Sequence, residues 1–223
     1  MTSAGTSTAS GTAPSAPFVR ALGAILLVLG AAAATGTLTP FGESHLPGPI
    51  NAAANSSGPW AIVAFASVYF SRARGAFAAA LGAASFVTMD LLFFVVFDAR
   101  GGYYPHAYLA FWIVIALLIG PLVGVCASWL RAPRMWLRAV AIAAPSSVLI
   151  GEGIFMLVRL PGVSTVYALA SVVVGLALFT MLAALLLRGA RCLALSTVAC
   201  VLASAAFLTV YGLLPLILHK VVP

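Results

Sequence analysis

Charge is what this sequence has least of. Only 7% of its 223 residues are Asp, Glu, Lys or Arg, against about 25% in a soluble globular domain. So few charged side chains cannot cover a water-facing surface. A soluble enzyme, a disordered chain and a DNA-binding domain are therefore excluded as readings of the whole chain. Acids are scarcest of all, at four. Three cysteines (Cys126, Cys192 and Cys200) fall in or beside apolar segments without metal-ligand spacing, which argues against a disulfide framework or a thiolate metal site. The sequence also lacks a GxxxxGK[ST] phosphate loop, an HExxH zinc motif, a GxSxG nucleophile elbow and the acidic clusters that hold magnesium on a diphosphate. No metal and no cofactor is expected.

What is abundant is apolar. Hydrophobic residues make up 63% of the chain and the mean hydropathy is +1.16, the profile of a polytopic integral membrane protein. The expected fold is all-α, a bundle of membrane helices. The net charge of +7 does not indicate nucleic acid as a partner, because most basic residues sit at the ends of apolar segments, where they set orientation in the bilayer.

Residues 1–17 are Ser, Thr, Ala, Gly and Pro with little to bury, and read as a disordered cytoplasmic tail. Residues 18–223 read as one transmembrane domain. A first apolar segment spans 21–39, long enough for a hydrocarbon core of ~30 Å, and 40–58 reads as a Pro-, Gly-, Ser- and Asn-rich loop. The segment 59–71 is short for a full span; it either starts as early as Asn51 or is partly re-entrant. Clearer segments cover 75–97, 107–130, 139–158, 164–187 and 192–218. The count is seven transmembrane helices, or six if Arg20, the following apolar run and Ala32 to Ala34 form a cleaved signal peptide.

Loop charges orient the bundle. With the N-terminus in the cytoplasm, the inner side holds Arg20, Arg72, Arg74, Arg131, Arg134, Arg138, Arg188 and Arg191, and the outer side Arg100, Arg159 and Lys220. This alternation is the positive-inside pattern. All four acids (Glu43, Asp90, Asp98, Glu152) and all three histidines (His45, His106, His219) then map to the outer half.

Two acids lie within helices. Asp90 and Glu152 each sit seven residues before the outer end of their segment, roughly 10 Å below the boundary. An ionised, unpaired carboxylate at that depth is costly, so each should face the bundle, pair, or stay protonated. Glu152 lies between Gly151 and Gly153, which permit close approach of a backbone or a ligand, and Arg159 follows on the same helix face as a candidate partner. Asp90 is surrounded at helical spacing by Phe86, Phe93, Phe94 and Phe97. With these two acids, the candidate ligand-binding residues are Asn51, Asn55, Trp60, Trp112, His106, Arg159 and Tyr211. For several of these, packing or a place in the interfacial aromatic belt is the competing account. Gly120 and Gly124, four apart, predict close helix packing.

The stretch Leu46-Pro47-Gly48-Pro49-Ile50-Asn51, followed by Ala54-Asn55-Ser56-Ser57-Gly58-Pro59-Trp60, is not generic membrane sequence. With Gly102-Tyr103-Tyr104, Phe111-Trp112, Gly120-Pro121-Leu122-Val123-Gly124 and Gly151-Glu152-Gly153, it resembles a family of small actinobacterial polytopic membrane proteins known only as a domain of unknown function. The resemblance covers roughly residues 20–215 and implies a multi-pass protein of the bacterial inner membrane. It makes Pro47, Asn55, Trp60 and Glu152 the signature positions and supplies no activity.

Three functions compete. The first is binding or transport of a small molecule through an outer-half polar pocket, in a chain similar in size and polarity to the substrate-binding components of energy-coupling-factor vitamin transporters. The second is a membrane-embedded enzyme of terpene-cyclase type, with Asp90 and Glu152 as acids and Phe94, Phe97, Trp112 and Tyr211 as a cation-stabilising lining. The third is a structural subunit of a membrane complex. The lipid bilayer is the common partner, with a small-molecule ligand or a partner subunit as the others.

Overall fold

The computed structural model describes residues 16–160 and 164–221, with side chains for 17–160 and 164–214. Seven helices follow one another: α1 (Ala16–His45), α2 (Ser57–Ser71), α3 (Gly75–Ala99), α4 (His106–Trp129), α5 (Met135–Arg159), α6 (Thr165–Leu186) and α7 (Ala190–Val221), with one 3-10 turn at Asn51–Ala53. No strand occurs among the described residues. The tail read over 1–17 lies outside the described residues apart from Ala16 and Pro17, which open α1; the side chains of His219 and Lys220 lie outside them too.

Six helices are long and apolar enough to cross a membrane. The exception is α2, whose 15 residues reach about 22 Å at 1.5 Å per residue, short of a hydrocarbon core of ~30 Å. It starts at Ser57, and only the 3-10 turn reaches back to Asn51.

α1 continues beyond Thr39 through Pro40 to His45, where the composition reads as loop. Arg100, at the end of α3, accounts for the extension. Its guanidinium donates to the Pro40 carbonyl at 2.5 Å and to Ser44 Oγ at 3.0 Å, and lies 4.3 Å above the Phe41 ring. A cation is thus held against the last turns of α1, where the helix presents its negative end.

Small residues set the packing. Along the α3–α4 contact, a Cβ at Gly82 would collide with the Gly120 carbonyl and the Gly124 backbone, and one at Gly124 with the Ala78 carbonyl. The two backbones therefore meet directly, the close approach that glycines four apart permit. On α1, Gly36 packs in the same way on the Met89 backbone of α3. α2 runs through the middle of the bundle, touching α1, α3, α4 and α5, while α6 and α7 pack mainly on α5.

α5 is the hub, and the triplet Gly151-Glu152-Gly153 shows why. Successive residues on a helix point about 100° apart. Gly151 faces Phe207 of α7, Gly153 faces the Ala168 carbonyl and Val172 of α6, and Glu152 faces Gly58 of α2. Three consecutive positions so serve three different neighbours, with glycine where the Phe207 side chain and the Ala168 backbone leave little room for a Cβ.

Candidate functional site

The N-terminus of α2 lies inside the bundle, beside Glu152. A helix start exposes backbone N–H groups with no partner in their own helix. Ordinarily the residue before it supplies an oxygen, but the Ser56 side chain makes no cap here. Its hydroxyl pairs instead with Tyr167 Oη at 2.6 Å. The cap comes from another helix: Glu152 Oε1 accepts the Ser57 N–H at 2.8 Å, and Oε2 accepts the Gly58 N–H at 2.9 Å and the Tyr167 hydroxyl at 3.1 Å. Glu152 is 6% exposed. Gly58 is required for this fit, because a Cβ there would strike the carboxylate and Leu149.

This arrangement answers the cost of burying a carboxylate. Each oxygen receives a charge-assisted hydrogen bond, and the positive end of the α2 dipole faces the negative charge in a poorly screened environment. The expected partner Arg159 takes no part: it is exposed at the end of α5 and forms no ion pair with Glu152 among the described residues. The helix dipole and a tyrosine replace it.

The C-terminus of α2 is met in a complementary way. Arg131, from the turn between α4 and α5, donates from Nη2 to the Tyr69 carbonyl in the last turn of α2, and its guanidinium carbon lies 3.9 Å above the Tyr69 ring. A cation thus sits at the negative end of α2, and an anion at the positive one.

Of the remaining candidates, Tyr211 joins the Glu152 group. Its hydroxyl pairs with Ser57 Oγ, and its ring stacks on Phe207 at 4.1 Å and lies 6.4 Å from Trp112. Trp60 is buried, donates to the Ala54 carbonyl at 3.2 Å and packs edge-on against Phe93. It fixes the turn that leads into α2 rather than facing a cavity. Asn51 begins the 3-10 turn, where its carbonyl accepts the Ala54 N–H at 3.0 Å, and Asn55 is exposed. His106 is exposed at the start of α4 with its ring 5.3 Å from Phe94.

Asp90 is set quite differently from Glu152. It is half-buried, and no described residue donates a hydrogen bond to it or offers it a positive charge. Its charge bears on the hydroxyl of Tyr104. Tyr104, in the loop before α4, is pushed up to about 12, first by burial and then by the Asp90 carboxylate. Of the two acids, Glu152 has its donors in the fold, and Asp90 has none among the described residues. A separate shallow cavity of about 370 Å³ opens between the ends of α1 and α3, against Glu43, Phe97 and Arg100.

Sequence reasoning missed Tyr167, Ser56, Ser57 and Arg131 as members of this framework. Ser56 and Ser57 stand inside a stretch that the sequence marks as unusual, and Arg131 reads as a loop charge. Tyr167 carries no local signal, because its role depends on how α6 packs against α5.

Residues 16–216 match the family described as "Family of unknown function (DUF6518)", and the chain belongs to it. No curated protein and no solved structure matches.

Proposed function

We propose that this DUF6518 member is a multi-pass protein of the bacterial cell membrane that binds a small molecule in the outer half of its helix bundle, with Asp90 as the carboxylate available to the ligand. Seven membrane-inserted helices form one domain over 18–223, α2 among them as a short central helix. The N-terminus and the tail over 1–17 lie in the cytoplasm. The chain order of the helices supports that orientation: Arg72, Arg74, Arg131, Arg134 and Arg188 fall in the turns after α2, α4 and α6, with Arg138 and Arg191 in the first turns of the helices that follow, and basic turns face the cytoplasm.

The observation that carries the proposal is the contrast between the two acids. Glu152 has its donors within the fold and serves to hold α2. Asp90, at similar depth, has none among the described residues, although an intramembrane carboxylate left alone is expensive. Groups kept under such strain concentrate at binding sites. The same contrast weakens the cyclase reading, because a carboxylate held by three donors is poorly placed to protonate an olefin, leaving that reading a single acid.

Native mass spectrometry of the full chain in lipid nanodiscs tests this. The wild type should retain a non-lipid small molecule, and Asp90→Asn should lose it while remaining monodisperse. Wild-type protein that carries nothing beyond lipid, or equal retention by Asp90→Asn, overturns the proposal.

A further inference from the structure

We infer that Asp90 forms the anionic wall of a site for an organic monocation, an alkyl- or arylammonium, framed by the aromatic rings of Tyr104, Trp112 and Tyr211. The inference rests on the binding role proposed above and names the ligand class.

The chemistry available at Asp90 restricts the ligand. An anion would meet a carboxylate and no free donor. An inorganic divalent cation needs six or more oxygen ligands or a nitrogen and sulfur set, and no group of three His, Cys, Asp or Glu side chains suited to a metal occurs among the described residues. One carboxylate with aromatic faces is the combination that takes a weakly hydrated organic cation, whose charge is balanced by the acid and whose alkyl groups rest on ring quadrupoles.

The rings are in place. Tyr104 lies 6.2 Å edge-on from Phe94, one turn beyond Asp90 on α3, and 5.9 Å from Tyr108. Trp112 and Tyr211 lie 6.4 Å apart, at 48° to each other. Along α3, Gly82 meets Gly120 and Ala78 meets Gly124 of the antiparallel α4, and continuing that register brings Asp90 level with Trp112.

Among the described residues, the basic side chains at this end of the bundle are engaged elsewhere or exposed. Arg100 is committed to Pro40, Ser44 and Phe41, His106 is exposed against Phe94, and Arg159 is exposed at the end of α5. α7 packs along α5 and far less on α4, and the Trp112 and Tyr211 rings approach each other across that boundary.

The test uses the full chain in nanodiscs and two probes of one shape, benzyltrimethylammonium and its neutral isostere neopentylbenzene, measured by equilibrium dialysis against empty discs. The wild type should bind the cation saturably and prefer it to the isostere. Asp90→Asn should weaken the cation by at least about tenfold, and Asp90→Glu should retain most of it. Trp112→Leu, which keeps an apolar side chain and removes the ring face, should weaken the cation more than the isostere, and it serves should Asp90→Asn fail to assemble. Equal binding of the two probes, undiminished cation binding by Asp90→Asn, or no saturable cation binding at all overturns the inference. A neutral or anionic molecule that co-purifies and depends on Asp90 would also overturn it while leaving the binding role intact. That role falls only if wild-type discs carry no bound small molecule.

Discussion

Glu152 and Arg131 cap opposite ends of the same helix. The carboxylate accepts the Ser57 and Gly58 N–H groups at the start of α2, and the guanidinium serves the Tyr69 carbonyl at its other end. The C-terminus of α2 runs into the turn that carries the exposed Arg72 and Arg74, whereas its N-terminus falls inside the bundle, where unsatisfied backbone groups cost most. Each terminus is met by the charge that its dipole attracts. The two residues come from α5 and from the turn before it, which ties α2 to the half of the bundle built on α5.

Replacing Glu152 should therefore loosen one helix end rather than abolish an activity directly. Glu152→Gln keeps the shape but turns a donor toward a donor and removes the charge, at an expected cost of about 2–4 kcal/mol. Glu152→Ala leaves both amides unmet and should cost more. Amide hydrogen exchange should accelerate at Ser57 and Gly58 first, ahead of the remaining bundle. Unchanged exchange there in Glu152→Gln would show that the carboxylate does not hold the helix.

Arg131→Ala should have a smaller effect, about 1–2 kcal/mol, from the lost carbonyl contact and the lost ring contact. Arg131→Lys should recover only part of it, because an ammonium lacks the planar face that stacks on Tyr69. The termini are far apart, so the costs of Glu152→Gln and Arg131→Ala should add within roughly 0.5 kcal/mol. Thermal unfolding of the double variant in one detergent checks this. A large departure from additivity would mean that α2 is released as a unit once either end is freed.

Much of this scaffold is legible in the sequence. Apolar runs bounded by arginines give the helices and their order, and Gly120 and Gly124 announce the close α3–α4 contact. The pairing of Glu152 with α2 is not legible. Intrahelical spacing suggested Arg159 as the partner, whereas the true partners lie 95 and 94 positions earlier and are backbone amides, which no residue type advertises. Pro40 misleads in the opposite direction: proline commonly ends a helix, yet α1 continues because Arg100, sixty residues later, binds its last turns. Both misjudgements concern tertiary partners of a helix terminus, and local pattern contains nothing about them.

The glycines divide into two kinds that one substitution separates. At Gly30 nothing lies within 4 Å of where a Cβ would stand, so Gly30→Ala should be neutral or stabilise by up to about 1 kcal/mol through helix propensity. At Gly124 the same methyl meets the Ala78 backbone, which cannot move aside as a side chain could. Gly124→Ala should cost about 1–3 kcal/mol or more by forcing α3 and α4 apart. Thermal unfolding of the two variants, side by side, is the check; equal behaviour would contradict direct backbone contact.

Tyr104 offers a direct measure of whether Asp90 stands where the binding role requires it. Burial and the Asp90 charge together push this phenol from about 10 up to about 12. Its neutral form is therefore the one the fold favours. The sign follows: its contribution to stability is intact below about pH 10 and is lost as the pH rises toward about 12. An ultraviolet titration that isolates Tyr104, by difference against Tyr104→Phe, should show the high midpoint in the wild type. Asp90→Asn removes the negative charge and leaves the burial, so the midpoint should fall but remain above 10. A midpoint unmoved by Asp90→Asn would place the carboxylate out of reach of the ring. The aromatic frame proposed around Asp90 would then lose one side, whatever the cation-binding measurements show.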